Sequence, residues 1–223
     1  MSTTTRARFG AAIVALAPAV MLVGLFAHPY IATLPDEAAI AEAVAADTTW
    51  WGLVHLTAGV ASGLLVLAFL AVRSYLREAG EERWSILALP FIVMGSTLFP
   101  VLPGMEFAPL AAAEAGVDGE AIQAALAPWF IPILVTGATT FAVGVFAFAK
   151  GIADSRILSR RLSRLVVGAL VVMAISRLVP VGAVQFYVQG VAGIVALWPL
   201  AYEMWKRPEA ARAAGQPQPI TTT

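Results

Sequence analysis

The chain contains 223 residues, of which 60% are hydrophobic and 13% are charged, and its formal net charge is zero. Soluble domains carry about 25% charged residues, so this composition excludes an ordinary soluble domain and indicates an integral membrane protein. Because basic and acidic residues balance at 14 each, the charge gives no reason to expect nucleic-acid binding. The sequence contains no cysteine, which excludes disulfides, thiolate metal sites and cysteine nucleophiles.

Six apolar runs approach the length of about 20 residues that a helix needs to cross the hydrocarbon core. The pattern therefore predicts an all-α polytopic membrane protein, a six-transmembrane-helix bundle that occupies residues 1–207 as a single domain. Residues 208–223 are rich in proline, glutamine and threonine, and we expect them to form a disordered cytoplasmic tail. The six predicted spans lie at 9–27, 52–72, 85–103, 129–149, 164–180 and 182–202.

Loop charges predict the orientation of these spans. Thirteen of the 14 basic residues lie before span one, between spans two and three, between spans four and five, or after span six. The alternate loops hold eight acidic residues, and only Arg177 is basic on that side. The positive-inside rule therefore predicts cytoplasmic N- and C-termini, and the abundance of Ala, Gly and Arg favours a bacterial inner (plasma) membrane. A cleaved signal peptide is the competing interpretation, but the first run of about 19 residues exceeds a signal core of about 7–15.

Two outer loops carry residues that start helices. Asp36 and Asp118 each precede an Ala-rich stretch with apolar residues at i and i+4, which is typical of a capped amphipathic helix. We therefore predict two short helices, at 36–47 and 118–126, that lie on the outer surface. Interfacial tryptophans are expected directly after them, at Trp50, Trp51 and Trp129.

The order of residues in 36–73 and 118–150 indicates an internal repeat. Both segments contain an acid, a short Ala-rich helix, a tryptophan, an apolar span and a basic end. This order predicts three repeated helical hairpins, with chance similarity among abundant small apolar residues as the alternative. Gly59 and Gly63 also form a G-x-x-x-G pattern, which favours close helix packing within the bundle or oligomerisation.

Polar residues collect at the predicted outer ends of the spans, and no ionisable side chain is expected near the middle of any span. Arg177 is predicted to lie within the hydrocarbon thickness, where a charge is costly, and Glu106 is its preferred partner in a bidentate ion pair. In a compact bundle these residues would converge on an outward-facing polar pocket. The residues predicted to bind a ligand there are His55, Glu106, Arg177, Gln185 and Gln189.

Three functions fit this pattern. The first is binding or permeation of a small molecule or an ion, with Arg177 anchoring a carboxylate and the outer acids concentrating cations. The second is a non-catalytic structural or partner subunit, in which the polar residues fasten helices together. The third is a membrane redox protein that binds haem or a metal ion through His28 and His55, with Glu106 as a further metal ligand. We predict no catalytic residue, because nucleotide-binding and hydrolase motifs are missing from the sequence. The absence of any cofactor is the preferred interpretation, and haem or a metal ion is the alternative.

Overall fold

The structure is a computed structural model that describes residues 3–213, with side chains described over 4–206. Within these residues the chain forms nine α-helices and one π-helical turn, and it contains no β-strand beyond an isolated bridge between Thr33 and Val181. The prediction of an all-α fold is therefore confirmed. The α-helices are α1 Thr3–Ala27, α2 Glu37–Ala46, α3 Thr48–Glu78, α4 Arg83–Leu98, α5 Val101–Met105, α6 Phe107–Glu114, α7 Gly119–Ser155, α8 Arg160–Ser176 and α9 Gln189–Ala213, and the π-helical turn is Val184–Val188.

Five helical segments of the described chain are long and apolar enough to cross a membrane, which indicates a multi-pass membrane protein. The predicted span at 164–180 corresponds to α8, whose 17 residues rise about 26 Å. Because α8 is shorter than the five segments, length and composition alone support five crossings of the six predicted. The five segments are Thr4–Ala27, Thr48–Glu78, Arg83–Glu114, Gly119–Ser155 and Val184–Lys206.

The six longest helices close into a ring. α1 packs against α3 and α9, α4 packs against α3 and α7, and α8 packs against α7 and α9. The inside of the ring is filled by apolar side chains, among which Phe69, Phe141, Phe148 and Leu197 are fully buried. The outward faces expose large apolar side chains such as Leu56. An apolar interior combined with an apolar exterior is typical of a bundle that is surrounded by lipid.

Glycines allow α4 and α7 to pack at close range. A Cβ on Gly95 would lie 2.5 Å from the backbone nitrogen of Phe141, and one on Gly144 would lie 2.8 Å from a backbone nitrogen of α4. Both distances are too short for a real Cβ, so only glycine fits at this crossing. A Cβ on Gly59 or Gly63 would meet no atom of the described chain within 4 Å. The G-x-x-x-G pattern of α3 therefore takes no part in packing inside the bundle.

Aspartates cap three helices through their side chains. The carboxylates of Asp36, Asp47 and Asp118 accept hydrogen bonds from backbone N–H groups three residues later, at 3.0, 2.8 and 3.1 Å. The helix predicted after Asp36 is confirmed as α2. The separate short helix predicted at 118–126 is wrong, because these residues form the first turns of α7. That helix continues for 37 residues through its internal prolines, each of which removes only one backbone donor.

The repeat and the third span also differ from expectation. α2 and α3 are separate helices whereas α7 is continuous, so the two segments thought to repeat are built differently and repeated hairpins are not confirmed. The span predicted at 85–103 ends early, since α4 stops at Leu98 before Pro100, and α5 and α6 follow as short helices. α9 is described as far as Ala213, and the remainder of the tail predicted at 208–223 lies outside the described residues.

Candidate functional site

A cluster of aromatic and imidazole rings lies where α1, α3 and the π-helical turn meet. The ring centroids of His28 and His55 are 5.1 Å apart, and those of Trp51 and His55 are 4.3 Å apart. Phe186 of the π-helical turn contacts His28 at a centroid distance of 4.6 Å. Trp51, which was predicted at the membrane interface, is almost fully buried. Its indole N–H donates a hydrogen bond to the backbone carbonyl of Glu106. Both histidines of the sequence therefore lie in one cluster, in which His55 is buried and His28 is partly buried.

Backbone hydrogen bonds define the tautomer of both histidines. His28 Nδ1 lies 2.7 Å from the carbonyl oxygen of Pro29, and His55 Nδ1 lies 2.7 Å from that of Trp51. Because a carbonyl only accepts, each Nδ1 carries a proton and donates it, which leaves a lone pair on each Nε2. Burial lowers the pKa of His28 below its usual range, and the hydrogen bond to Pro29 opposes this shift only in part. His28 is therefore neutral near pH 7.

Glu106 links α3 to α7 through two hydrogen bonds. Its backbone carbonyl accepts from Trp51 Nε1 at 3.3 Å, and its Oε1 accepts from Gln123 Nε2 at 3.1 Å. Glu106 and Gln123 are both buried, yet Glu106 Oε2 and Gln123 Oε1 have no hydrogen-bond partner in the described part of the chain. An unsatisfied buried polar group costs about 1–3 kcal/mol. These two acceptors are therefore complementary to an ammonium group, a cation or water.

Arg177 occupies the interior of the bundle. Its side chain is 3% exposed, and its guanidinium carbon lies 3.7 Å from the ring centroid of Phe141 and 4.4 Å from that of Phe99. Its Nε and Nη1 have no hydrogen-bond partner among the described residues. The prediction of an ion pair between Arg177 and Glu106 is wrong. The Glu106 carboxylate instead accepts a hydrogen bond from Gln123.

The depth of the guanidinium explains why this pair does not form. Phe141 lies 12 residues after Trp129 and nine before Lys150, which is about 18 Å and about 14 Å along α7. Arg177 continues the helical backbone of α8, and helical side chains lean toward the N-terminus of their helix. The guanidinium is therefore carried back along α8, where it contacts the rings of Phe141 and Phe99.

The two glutamines of the predicted site differ in their contacts. Gln185 is half-buried, and its Nε2 donates to the backbone carbonyl of Arg177 at 3.3 Å, which ties the π-helical turn to the end of α8. Gln189 is buried at the start of α9 and forms no hydrogen bond with the other predicted site residues in the described structure. Four of the five residues predicted to bind a ligand therefore have buried side chains.

The histidine pair constrains any metal or haem at this site. No group of three or more His, Cys, Asp or Glu that could hold a metal ion occurs within the described residues. A haem ligated by both imidazoles would separate them with its macrocycle, whereas the rings of His28 and His55 contact each other directly. Each ring does keep an Nε2 lone pair and donates its Nδ1–H to a carbonyl, as metal-binding histidines do. The direct contact of the two rings therefore does not fit a haem held between them.

Several residues at these sites were missed by the sequence analysis. Phe99, Phe141 and Phe186 look like any other apolar residue of a span, because their role depends on which cation or ring the fold brings to them. Gln123 carried one usable signal. It lies three residues before Leu126, and therefore on the helix face that was predicted to be apolar.

No family model, curated protein or solved structure matches the chain. The chemical capacity of the site therefore follows from its own residues. Among the described residues, the buried guanidinium of Arg177 has Nε and Nη1 without a hydrogen-bond partner, and Glu106 and Gln123 each have one unpaired acceptor. These groups can hold a small ion or a polar molecule in the interior.

Proposed function

We propose that the protein crosses the membrane six times with both termini in the cytoplasm, binds a small molecule or an ion inside the bundle and permits its permeation. Arg177 anchors a carboxylate or another anionic group of the ligand. His55, Glu106, Gln185 and Gln189 line the path from the outer side. The membrane is the bacterial inner membrane, and the activity needs no cofactor.

The packing of α8 supports the sixth span. α8 lies between α7 and α9 in the closed ring, and its residues Val166, Leu170 and Met173 are buried in the same core as those of the five longer segments. Its rise of about 26 Å is close to the hydrocarbon thickness of about 30 Å. The arginines at its start fit the cytoplasmic headgroups.

Cysteine labelling tests this topology cleanly, because the chain has no cysteine of its own. We expect Val117→Cys to react with a membrane-impermeant maleimide in intact cells, and Arg77→Cys and Trp205→Cys to react only after permeabilisation. All three positions are exposed. If α8 did not cross, the end of α9 would lie opposite the N-terminus. Reaction of Trp205→Cys from outside would therefore contradict the sixth span.

The observation that carries the proposed function is the unpaired guanidinium of Arg177. A buried charge without a counter-ion costs several kcal/mol, and ionisable groups inside membrane bundles mark ligand and ion paths. Phe99 and Phe141 face the cation but cannot accept hydrogen bonds in the plane of its Nε and Nη1. A ligand carboxylate would supply those acceptors in a bidentate contact.

The acceptors nearer the outer side support a path to this anchor. Glu106 Oε2 and Gln123 Oε1 both lack a donor in the described structure, so a molecule that passes them can donate to both. Acidic residues of the outer loops raise the local concentration of cations within a screening length of about 8 Å. A zwitterion with an ammonium and a carboxylate group would satisfy the outer acceptors and Arg177 in turn.

A thermal-shift experiment with defined probes tests the proposal. Acetate, glycine and glutamate are added to the purified protein in detergent, since a ligand at 100 times its Kd stabilises by about 2.7 kcal/mol. We expect at least one probe to raise the Tm of the wild type, and Arg177→Gln to abolish that rise. Arg160→Gln, an exposed change on the same helix, serves as the control. A full Tm rise in Arg177→Gln would overturn the assignment of the anchor.

A structural role is the alternative, and the stacking of Arg177 between two aromatic rings favours it. A desolvated cation–π contact stabilises by about 2 kcal/mol or more, so the pair of rings alone offsets part of the burial cost. A purely structural Arg177 predicts that Arg177→Met changes the Tm while none of the three probes shifts the wild type.

A metal-binding role is favoured only by the free Nε2 atoms of His28 and His55. Titration of the purified protein with Cu(I) under reducing conditions, followed by metal analysis, tests it directly. One bound copper that is lost in both His28→Asn and His55→Asn would support this role. A visible haem spectrum in the purified protein would support the haem form of it instead.

A further inference from the structure

An apolar groove runs along the outside of the bundle between α8 and α9. Its volume is about 610 Å³. On the α8 side Arg164, Gly168 and Val172 line it at successive helical turns, and on the other side it is lined by Tyr187, Val191 and Val195. The groove therefore begins at the basic end of α8 and continues over a purely apolar floor.

A glycine leaves the floor of the groove open. A Cβ on Gly168 would meet no atom of the described chain within 4 Å, so the backbone of α8 is open to the exterior at this point. The remaining lining residues are Leu165, Ala169, Val188 and Ala192. In a bilayer an unfilled apolar groove of this size does not stay empty, because a lipid chain that enters it gives its walls the dispersion attraction that a void cannot provide.

Three arginines stand at the cytoplasmic end of the groove. Arg160 and Arg161 lie four and three residues before Arg164, so all three share one face of α8. Each is exposed, and none forms an ion pair with a described carboxylate. The positive end of the helix dipole lies at the same place. The groove thus combines apolar walls that suit a lipid acyl chain with a cluster of positive charges that suits a lipid headgroup.

We propose that this groove binds one anionic phospholipid of the cytoplasmic leaflet, with its phosphate at Arg164 and one acyl chain along Gly168 and Val172. Charge complementarity selects this occupant. A neutral lipid fills the apolar floor but gains nothing from the arginines. A second copy of the chain would bring its own cytoplasmic arginines against them, because basic residues dominate that side. The site is independent of the proposed interior ligand.

Native mass spectrometry of the purified protein with dioleoylphosphatidylglycerol or dioleoylphosphatidylcholine tests this proposal. We expect the first lipid to bind more tightly, and Arg164→Gln to weaken it about fivefold, as the loss of one basic residue near a lipid surface implies. Gly168→Leu should weaken both lipids, because the new side chain fills the groove.

Matched controls separate this site from general effects of charge and size. Arg77→Gln removes an equally exposed arginine from the same side of the membrane, and Gly63→Leu fills an equally open position. Both lie on α3, which is opposite α8 in the ring, and we expect neither to change lipid binding. Equal affinity for the two lipids, or Arg164→Gln binding like the wild type, would overturn the proposal. So would a dimer that Gly168→Leu dissociates without any change in phosphatidylglycerol binding.

Discussion

The guanidinium carbon of Arg177 lies 3.7 Å from the ring centroid of Phe141, near the middle of α7, and its Nε and Nη1 have no hydrogen-bond partner in the described part of the chain. The charge in this position is stabilised by the π faces of Phe99 and Phe141. Arg177 is therefore the residue at which the structural and the ligand-binding interpretations make different predictions.

A double-mutant cycle measures the interaction between Arg177 and Phe141. We expect Phe141→Leu to lower the free energy of unfolding more in the wild type than in Arg177→Met, with a coupling energy of about 1–2 kcal/mol. Unfolding in mixed micelles, followed by circular dichroism, provides the measurement. Phe148→Leu, which changes a phenyl ring equally buried on the same helix, should show no coupling to Arg177→Met. A coupling of zero for Phe141 would mean that the ring and the cation are merely adjacent.

Glu106 supplies a second test, because only one of its carboxylate oxygens is satisfied. Glu106→Gln keeps an oxygen that can accept from Gln123 and removes a buried charge, so we expect stability to stay the same or to rise. Glu106→Ala strands the Gln123 amide and should cost about 1–3 kcal/mol. Thermal unfolding of both variants, with the exposed Glu114→Gln as the control, decides the matter. Equal losses in Glu106→Gln and Glu106→Ala would show that the negative charge itself is required.

The close crossing of α4 and α7 predicts a strong effect of a single methyl group. A Cβ on Gly95 would lie 2.5 Å from the backbone nitrogen of Phe141, so Gly95→Ala forces the helices apart and should destabilise by about 1–3 kcal/mol. Gly63→Ala enters open space and should be neutral or stabilise by up to about 1 kcal/mol. The difference in Tm between these two variants is the measurement. A Gly95→Ala variant as stable as Gly63→Ala would refute the close crossing.

The partly buried imidazole of His28 predicts a dependence of stability on pH. Burial lowers its pKa in the folded state, so the unfolded chain takes up the proton at a higher pH than the folded one does. Stability is therefore fully present above the unfolded pKa of about 6.5 and falls as the pH drops below it. His28→Asn keeps a donor toward Pro29 but cannot titrate. We expect its Tm to fall less than that of the wild type between pH 7 and pH 5, and an identical fall would assign the loss to other groups.

Local features were predictable from the sequence because their causes are local. The apolar runs indicated helices, and the cap at Asp36 lies within three residues of the N–H group that it satisfies. The same logic failed at Asp118, where α7 continues through Pro128 and Pro132 and its first turns pack against α2 and α6. The sequence contains no signal for which of these outcomes wins, since it depends on a neighbour distant in the chain.

The site was harder to predict because its contacts join distant segments. His28 and His55 were predicted at one end of the bundle, and their rings do contact each other. An ion pair was predicted between Arg177 and Glu106, but the lean of the side chain along α8 brings the guanidinium to Phe141 instead. The pairing of Glu106 with Gln123 requires α5 and α6 to fold against α7, which no periodicity reveals.

The contact between α1 and α9 has a consequence for biogenesis. Trp198 of α9 donates its indole N–H to the carbonyl of Ala15 in α1 at 3.0 Å, so two segments separated by 183 residues close the bundle. During synthesis α1 enters the bilayer long before α9 is translated. A chain that ends before α9 would form an incomplete ring, in which one face of α1 contacts lipid instead of α9. The face of α1 that later contacts α9 therefore stays exposed to lipid until the last segment is inserted.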